Sequence, residues 1–183
     1  MLIADKIENH NLIALLHSEL GVSYTYTNNI IEARKNYEKS YEIYSLLKNN
    51  ERLSYLSSNI ASIYLQQTNY KYALKYYNKG LEFAGNNLLG KIMSITGIAD
   101  VYSNEANYAQ ALKYYQQAKQ LADSIKDVSS LIKINEGLGA LFFNINRPYK
   151  SLELFEEAMN NIDLNEMPFE ATELFYKMGT VLS

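Results

Sequence analysis

Two stretches of this chain have nearly the same sequence and start thirty-eight residues apart. The segment NYKYALKYYNKGLEFA starts at Asn69, and the segment NYAQALKYYQQAKQLA starts at Asn107. Both begin with Asn-Tyr, both continue with Ala-Leu-Lys-Tyr-Tyr, and both end in Ala. A fixed internal period of this length is typical of proteins built from stacked copies of one small unit. The repeat therefore constrains the fold before any local propensity is considered.

The same pattern recurs in four copies along the chain. Each copy has a small residue after Leu or Ile, an aromatic residue three positions later, and a second small residue twelve positions later. The first small residues are Gly21, Ala61, Ala99 and Gly139, and the second are Ala33, Ala73, Ala111 and Ser151. A fifth copy starts at Met178-Gly179 and contains only its first part. The repeat therefore accounts for nearly the whole chain.

Each copy has the periodicity of two helices. In the second copy, Leu56, Ile60 and Ile63 follow helical spacing, the pattern breaks at residues 67–69, and it resumes from Tyr70. A short break between two such segments predicts an antiparallel helix pair, and small residues in both helices allow the two backbones to approach closely. An Asn in each break suits a tight, partly left-handed turn. These residues are Asn29, Asn69, Asn107 and Asn146.

Composition and charge exclude several classes of protein. The 183 residues are 48% hydrophobic and 20% charged, which predicts a globular chain with a substantial core. A net charge of -3, with lysines interleaved among glutamates, gives no field that would gather nucleic acid. No run of eighteen apolar residues is present, so we predict no membrane span, and the absence of cysteine excludes disulfides and thiolate chemistry.

No group of side chains predicts catalysis or metal binding. His10 and His17 lie two turns apart on one helix, about 10 Å along its axis, which is too far for one metal ion. The acidic pair Glu156-Glu157 is expected to be solvated, and Gly137 with Gly139 lacks the pattern of a phosphate-binding loop. Packing explains most of the seventeen tyrosines, because at least nine occupy core positions of the repeat. We therefore predict no enzyme, no metal and no cofactor.

With these residues in view, the repeat resembles the tetratricopeptide repeat. The pattern continues with an aromatic residue sixteen positions after the first small residue, and with another small residue at nineteen. The tryptophan and the closing proline common in that family are absent, and a period near 40 residues resembles the repeats of bacterial signalling proteins, including peptide-sensing regulators. The resemblance implies an all-α fold, a right-handed α-solenoid superhelix of antiparallel helix pairs. The two further positions hold Tyr37, Tyr77, Tyr115 and Phe155, then Ser40, Gly80, Ala118 and Ala158.

The repeat register divides residues 1–183 as one array. Its ends do not coincide with repeat ends, which predicts a fragment of a longer array, and an apolar stripe at Phe175, Met178, Val181 and Leu182 is expected to lack a successor. The predicted parts are 1–8, the tail of a preceding repeat; 12–46, repeat 1; 52–85, repeat 2; 90–124, repeat 3; 129–163, repeat 4; and 170–183, the first helix of a truncated repeat 5.

The resemblance also predicts where a ligand would bind, because the first helices of such an array line its concave face. The residues expected there are mostly small, polar and neutral, with Gly97 and Gly137 leaving room for a bound chain. A solvated concave wall with no ligand is an equally good interpretation. The candidate binding residues are Ser18, Thr25, Tyr26, Asn59, Ser62, Gln66, Asp100, Asn104, Glu136 and Asn144.

These features favour a protein or peptide interaction module, the sensor or scaffold region of a larger bacterial protein. The family's basic clamp for a terminal carboxylate is not expected, because its positions hold Ser18, Ser58, Thr96 and Glu136. The alternative is a structural unit that forms homo-oligomers through exposed repeat ends, without a small ligand. No nucleic-acid or membrane partner is expected for this segment. A cytoplasmic location is expected, and an extracytoplasmic sensor region is the alternative.

Overall fold

The computed structural model describes residues 2–162 and 167–182, and within these ranges every regular element is an α-helix. The helices are α1 (Leu2–Tyr26), α2 (Ile30–Leu46), α3 (Asn50–Gln66), α4 (Tyr70–Ala84), α5 (Leu88–Asn104), α6 (Tyr108–Ile125), α7 (Val128–Asn144), α8 (Pro148–Met159) and α9 (Pro168–Leu182). The predicted all-α fold is confirmed.

Contacts between the helices show that the pairs are antiparallel. The Ser40 hydroxyl on α2 donates a hydrogen bond to the Ala14 carbonyl on α1, whereas Tyr37 lies beside Thr25. On the next pair, Ser54 of α3 donates to the Gly80 carbonyl of α4. Residue numbers thus rise along one helix as they fall along its partner. Consecutive helix pairs are therefore confirmed, and the right-handed superhelical course stays a prediction.

The division of the chain into repeats stays a prediction, and the first helix departs from its predicted bounds. Helix α1 continues without a break through residues 8–12, where the sequence pattern predicted the end of a preceding repeat. Residues 5–12 contain neither Gly nor Pro, so nothing in the sequence stops the helix there. The predicted ends at residues 163 and 183 lie outside the described residues.

The chain forms two compact units, residues 1–97 and residues 98–183, and the division falls inside α5. In unit 1, α1 packs on α2, α2 on α3, and α3 on α4. In unit 2, α6 packs on α7, α7 on α8, and α8 on α9. The unit 1 core includes Ala14, Ala33, Tyr37, Tyr44, Leu53, Leu56, Ile60 and Ile63, and a unit 2 core includes Ile132, Phe155, Ala158 and Leu174.

The small residues of the repeat lie where the helices approach most closely. Ala33, Ala73, Ala111 and Ser151 are completely buried, as are Ala61 and Ala99. A β-carbon built on Gly21 would lie 2.5 Å from the ring of Tyr37, so no larger residue fits without movement. The predicted role of these positions in close packing is confirmed.

The Asn residues of the breaks have a different role from the predicted one. Asn29, Asn69 and Asn107 have φ between -85° and -89°, and their side chains accept from backbone N–H groups of the following helix. They are therefore N-caps. The left-handed residue precedes the cap, with φ near 55° in each case, at Asn28, Thr68 and Ala106. In the fourth copy Asn146 itself is left-handed, as predicted.

The apolar stripe of α9 is partly covered. Met178 and Val181 pack against the core that contains Phe155 and Leu174. Phe175 and Leu182 are exposed, and no atom lies within 4 Å of a β-carbon built on Gly179. The prediction of an uncovered stripe is therefore right for Phe175 and Leu182 and wrong for the other two.

Candidate functional site

In unit 1, the candidate residues of α1 and α3 form polar rows on the first helices. Ser18 and Thr25 are seven residues apart, and Asn59, Ser62 and Gln66 follow the i, i+3, i+7 spacing of one helix face. All five are partly or largely exposed, whereas the core residues of α3 lie on other positions. The rows are uncharged. Tyr26 is the last residue of α1 and is 85% exposed.

The hydrogen-bonding capacity of these rows is largely unused within the protein. Asn59, Ser62 and Gln66 make no side-chain hydrogen bond to another described residue, so their donors and acceptors are open to a ligand or to water. Thr25 is different, because its hydroxyl donates to the Gly21 carbonyl and lies 3.3 Å from the Tyr37 hydroxyl. Burial raises the pKa of Tyr37, and the Thr25 hydrogen bond lowers it in part. The tyrosine therefore remains a neutral donor.

Of three further positions assigned to the groove of unit 1, Ser58 and Gly97 are buried and Thr96 is half-buried. Ser58 is only 1% exposed and shares a hydrogen bond of 3.0 Å with Ser94 of α5. The Thr96 hydroxyl oxygen is buried and has no partner among the described residues. Gly97 lies under the ring of Tyr77. The assignment of Ser58 and Gly97 to an open groove was therefore wrong, at Gly97 because the Tyr77 ring of the second helix covers it.

In unit 2, the candidate residues lie on the end of α5 and on α7. Asn104 is exposed, and its side-chain nitrogen donates to the Asp100 carbonyl at 2.8 Å, which leaves its oxygen available. Glu136 lies 3.9 Å from the Lys177 ammonium of α9, which also contacts Glu173. Asn144 is exposed, and its side chain makes no hydrogen bond to another described residue. This face therefore combines open amides with charged groups.

Asp100 has the most unusual environment on this face. The Tyr115 hydroxyl donates a hydrogen bond of 2.5 Å to the Asp100 carboxylate. Burial raises the pKa of Asp100 from 3.8 to about 6, while the Tyr115 hydrogen bond and the charge of Lys133 lower it in part. A β-carbon on Gly137 would lie 2.5 Å from the Tyr115 hydroxyl, so only glycine leaves room for this arrangement. The prediction that Gly137 leaves room for a ligand is therefore wrong.

The sequence pattern placed Tyr115 in the core and did not assign it to the site. Its ring is indeed buried, but its hydroxyl reaches the face where Asp100 lies. Lys133 was also missed, because it lies outside the positions that the family register selects. A glycine two positions before the first small residue, at Gly97 and Gly137, was the available signal. In both repeats this glycine lies under a tyrosine ring.

The described residues contain neither a group of side chains for a metal ion nor a membrane-spanning helix. Among the residues whose side chains the structure describes, 9–162, 167–168 and 171–182, no three His, Asp or Glu side chains are grouped so that they could hold a metal ion. Within the same part of the chain, no helix combines the length and the apolar character needed to cross a membrane.

Comparison with known families identifies the kind of repeat in this chain. Two tetratricopeptide repeat profiles match the chain, one over residues 12–86 and the other over residues 94–124. Together they cover more than half of its length. The chain belongs to the tetratricopeptide repeat family. A comparison with curated protein sequences found no match.

Solved structures similar to this tetratricopeptide repeat chain include two Rap proteins in complexes. The Rap conjugation gene regulator of plasmid pLS20, in complex with the Phr* peptide, has a TM-score of 0.80 and 19% identity over 91% of this chain and 47% of its own. A Rap protein complexed with Competence and Sporulation Factor has a TM-score of 0.81 and 14% identity, covering 93% and 48%. The chain thus spans about half the length of these proteins, and at such identity the likeness shows the fold.

A third protein with a similar structure is neither a Rap protein nor named with a ligand. BtubC (BKLC) from P. vanneervenii has a TM-score of 0.76 and 16% identity, over 98% of this chain and 76% of its own. The same helical architecture therefore occurs both in Rap proteins and in BtubC. The fold alone does not define a ligand.

Proposed function

We propose that this chain is a non-catalytic module that binds an extended peptide or a segment of a partner protein along the first helices of its repeats. The observation that carries the proposal is the set of open polar side chains on those helices. Asn59 and Asn144 have both a donor and an acceptor without a partner among the described residues. A side-chain amide can pair with a peptide unit of any sequence, which suits recognition of an extended backbone.

The relatives support this proposal by their own complexes. The Rap conjugation gene regulator of plasmid pLS20 is described in complex with the Phr* peptide, and a second Rap protein of the same fold in complex with Competence and Sporulation Factor. Their chains are about twice the length that this chain matches, so the same activity in this chain is part of the proposal. We further propose that the module is the sensor or scaffold region of a larger bacterial regulatory protein, located in the cytoplasm.

Replacing either open amide should weaken peptide binding without affecting the fold. Loss of one hydrogen bond to a desolvated peptide is worth about 0.5–1.5 kcal/mol, so we expect Asn59→Ala and Asn144→Ala each to weaken affinity by roughly 3- to 10-fold. The measurement is calorimetric titration with the best peptide from a random library screened against the wild-type chain. The melting temperature should change little, because exposed polar side chains contribute little to folding.

The matched control is Asn78→Ala. Asn78 is an exposed asparagine on the second helix α4, and its side chain donates only to its own helix at Leu74. The control variant should bind the peptide with wild-type affinity. Equal affinity in all the variants would contradict binding along the first helices.

A second candidate function is self-association through apolar helix faces. Leu12, Leu16 and Leu20 are each about half exposed on α1, and Phe175 and Leu182 are exposed on α9. The residues of α3 that correspond to Leu16 and Leu20 are Leu56 and Ile60, which are buried. A mass that doubles with concentration in analytical ultracentrifugation, together with no retained peptide, would favour this function over peptide binding.

A further inference from the structure

The two oxygens of the Asp100 carboxylate in unit 2 have different environments. Oδ1 accepts the hydrogen bond from the Tyr115 hydroxyl, while Oδ2 has no hydrogen-bond or ion-pair partner among the described residues. The residue is half-buried on the same helix end as Asn104. A carboxylate held on one side, with free lone pairs on the other, is suited to accept charge-assisted hydrogen bonds.

The position of this carboxylate is fixed by buried groups. Tyr115 is 2% exposed, so its ring has little freedom, and Gly137 leaves the space that its hydroxyl occupies. The carboxylate is therefore oriented before any ligand arrives, and a group that is already ordered loses less entropy on binding. In repeat 1, by contrast, the corresponding Tyr37 lies against the neutral hydroxyl of Thr25.

The charges around Asp100 leave it without an ion pair. Lys133 on α7 acts on the carboxylate, but no ammonium or guanidinium lies within 4.0 Å of it among the described residues. Lys133 is exposed, so it can turn toward solvent when another cation approaches. The nearby acidic residue Glu136 already faces Lys177. Asp100 is thus a half-buried acid that has a lysine in its surroundings but no cation in ion-pair contact among the described residues.

We propose that Asp100 is the point at which unit 2 binds a cationic group of a peptide, the guanidinium of an arginine or the ammonium of a lysine. This inference rests on the proposed function and names the chemistry of its ligand. Partial burial strengthens the attraction between the two charges, because the surroundings have a lower effective dielectric constant than water. The open amides nearby would hold the peptide backbone on either side.

The proposal has a defined pH dependence. The groups that face Asp100 are Tyr115 from α6 and Lys133 from α7, and with these in place its pKa is about 6. A cationic group binds the ionised carboxylate, so the preference for cationic peptides should rise as the pH increases from 5 to 7.5. Arginine and lysine keep their charge throughout this range, and the ligand therefore does not contribute to the change.

The test compares charged and neutral peptides of nearly the same shape. Four sets of acetylated, amidated pentapeptides carry random flanking residues and a central arginine, citrulline, lysine or acetyl-lysine, and binding is followed by fluorescence anisotropy at pH 7.5. The arginine or the lysine set should bind about tenfold more tightly than its neutral counterpart. Asp100→Asn should abolish that difference. Glu105→Gln, which removes an exposed carboxylate five residues further along the chain, should retain it.

The outcomes separate this inference from the proposed function. Peptide binding with equal affinity for charged and neutral sets, or a preference that persists in Asp100→Asn, would overturn the role of Asp100 alone. Failure of every set to bind would overturn both. The wild-type chain measured at pH 5 and 7.5 provides a test without any variant, and a preference that does not change between these values would also contradict the proposal.

Discussion

Gly97→Ala should destabilise the protein by about 1–3 kcal/mol, although alanine is the better helix former. Gly97 lies on α5 within unit 1, and a β-carbon at this position would overlap the ring of Tyr77 on α4. Tyr77 is buried, so its ring has no free space to enter. The measurement is the free energy of unfolding from urea titration.

The matched control for this prediction is Gly179→Ala. Gly179 also lies within a helix, but no atom is found within 4 Å of a β-carbon built there. This change should leave stability unchanged or raise it by up to about 1 kcal/mol, because only helix propensity is altered. If both variants had the same stability, the contact between α4 and α5 would be wrong.

Phe155→Ala should cost about 3–5 kcal/mol, because the ring fills a buried space in unit 2. Phe155 belongs to a core with Ile132, Ala158 and Leu174, and its ring lies directly over Gly139 of α7. Phe175→Ala, at an exposed position of α9, is the control and should change stability by less than about 0.5 kcal/mol.

The contact between Phe155 and Gly139 can be tested by a double-mutant cycle. Gly139→Ala should destabilise the wild-type chain, because the added methyl group overlaps the Phe155 ring. In the Phe155→Ala background the same change should be tolerated, giving a coupling energy of about 0.5–3 kcal/mol. Additive effects of the two changes would show that these residues are not in contact.

The repeat register predicted the helix pairs because it reflects the need for a small residue where two neighbouring helices cross. Two helices that cross closely need a small residue at the crossing, so Ala73 and Ala111 mark the same contact in successive copies. Because each copy needs a small residue at the crossing, the repeating pattern of small residues also predicts where the helix pairs lie. The exposure of Asn59 and Asn144 could also be predicted, since both lie on positions that face away from the second helices.

The remaining features depend on contacts between copies or on small differences in turn chemistry. The link from Tyr115 to Asp100 requires the glycine at position 137 of the next copy, and a periodic pattern does not reveal such a dependence. The Asn residues before the second helices became N-caps because the chain adopts its left-handed conformation one residue earlier, even at Thr68. The first case is found in one copy, whereas the second is shared by the first three copies.

The most direct test of peptide binding along the first helices is amide chemical-shift mapping of a bound library peptide. The proposed function predicts the largest changes on α3 around Asn59 and Ser62 in unit 1, or around Asp100 and Asn144 in unit 2. It predicts small changes on the outer residues of the second helices, such as Tyr72. Changes confined to the second helices, or to the exposed apolar residues Leu12, Leu16 and Leu20 of α1 and Phe175 and Leu182 of α9, would contradict it.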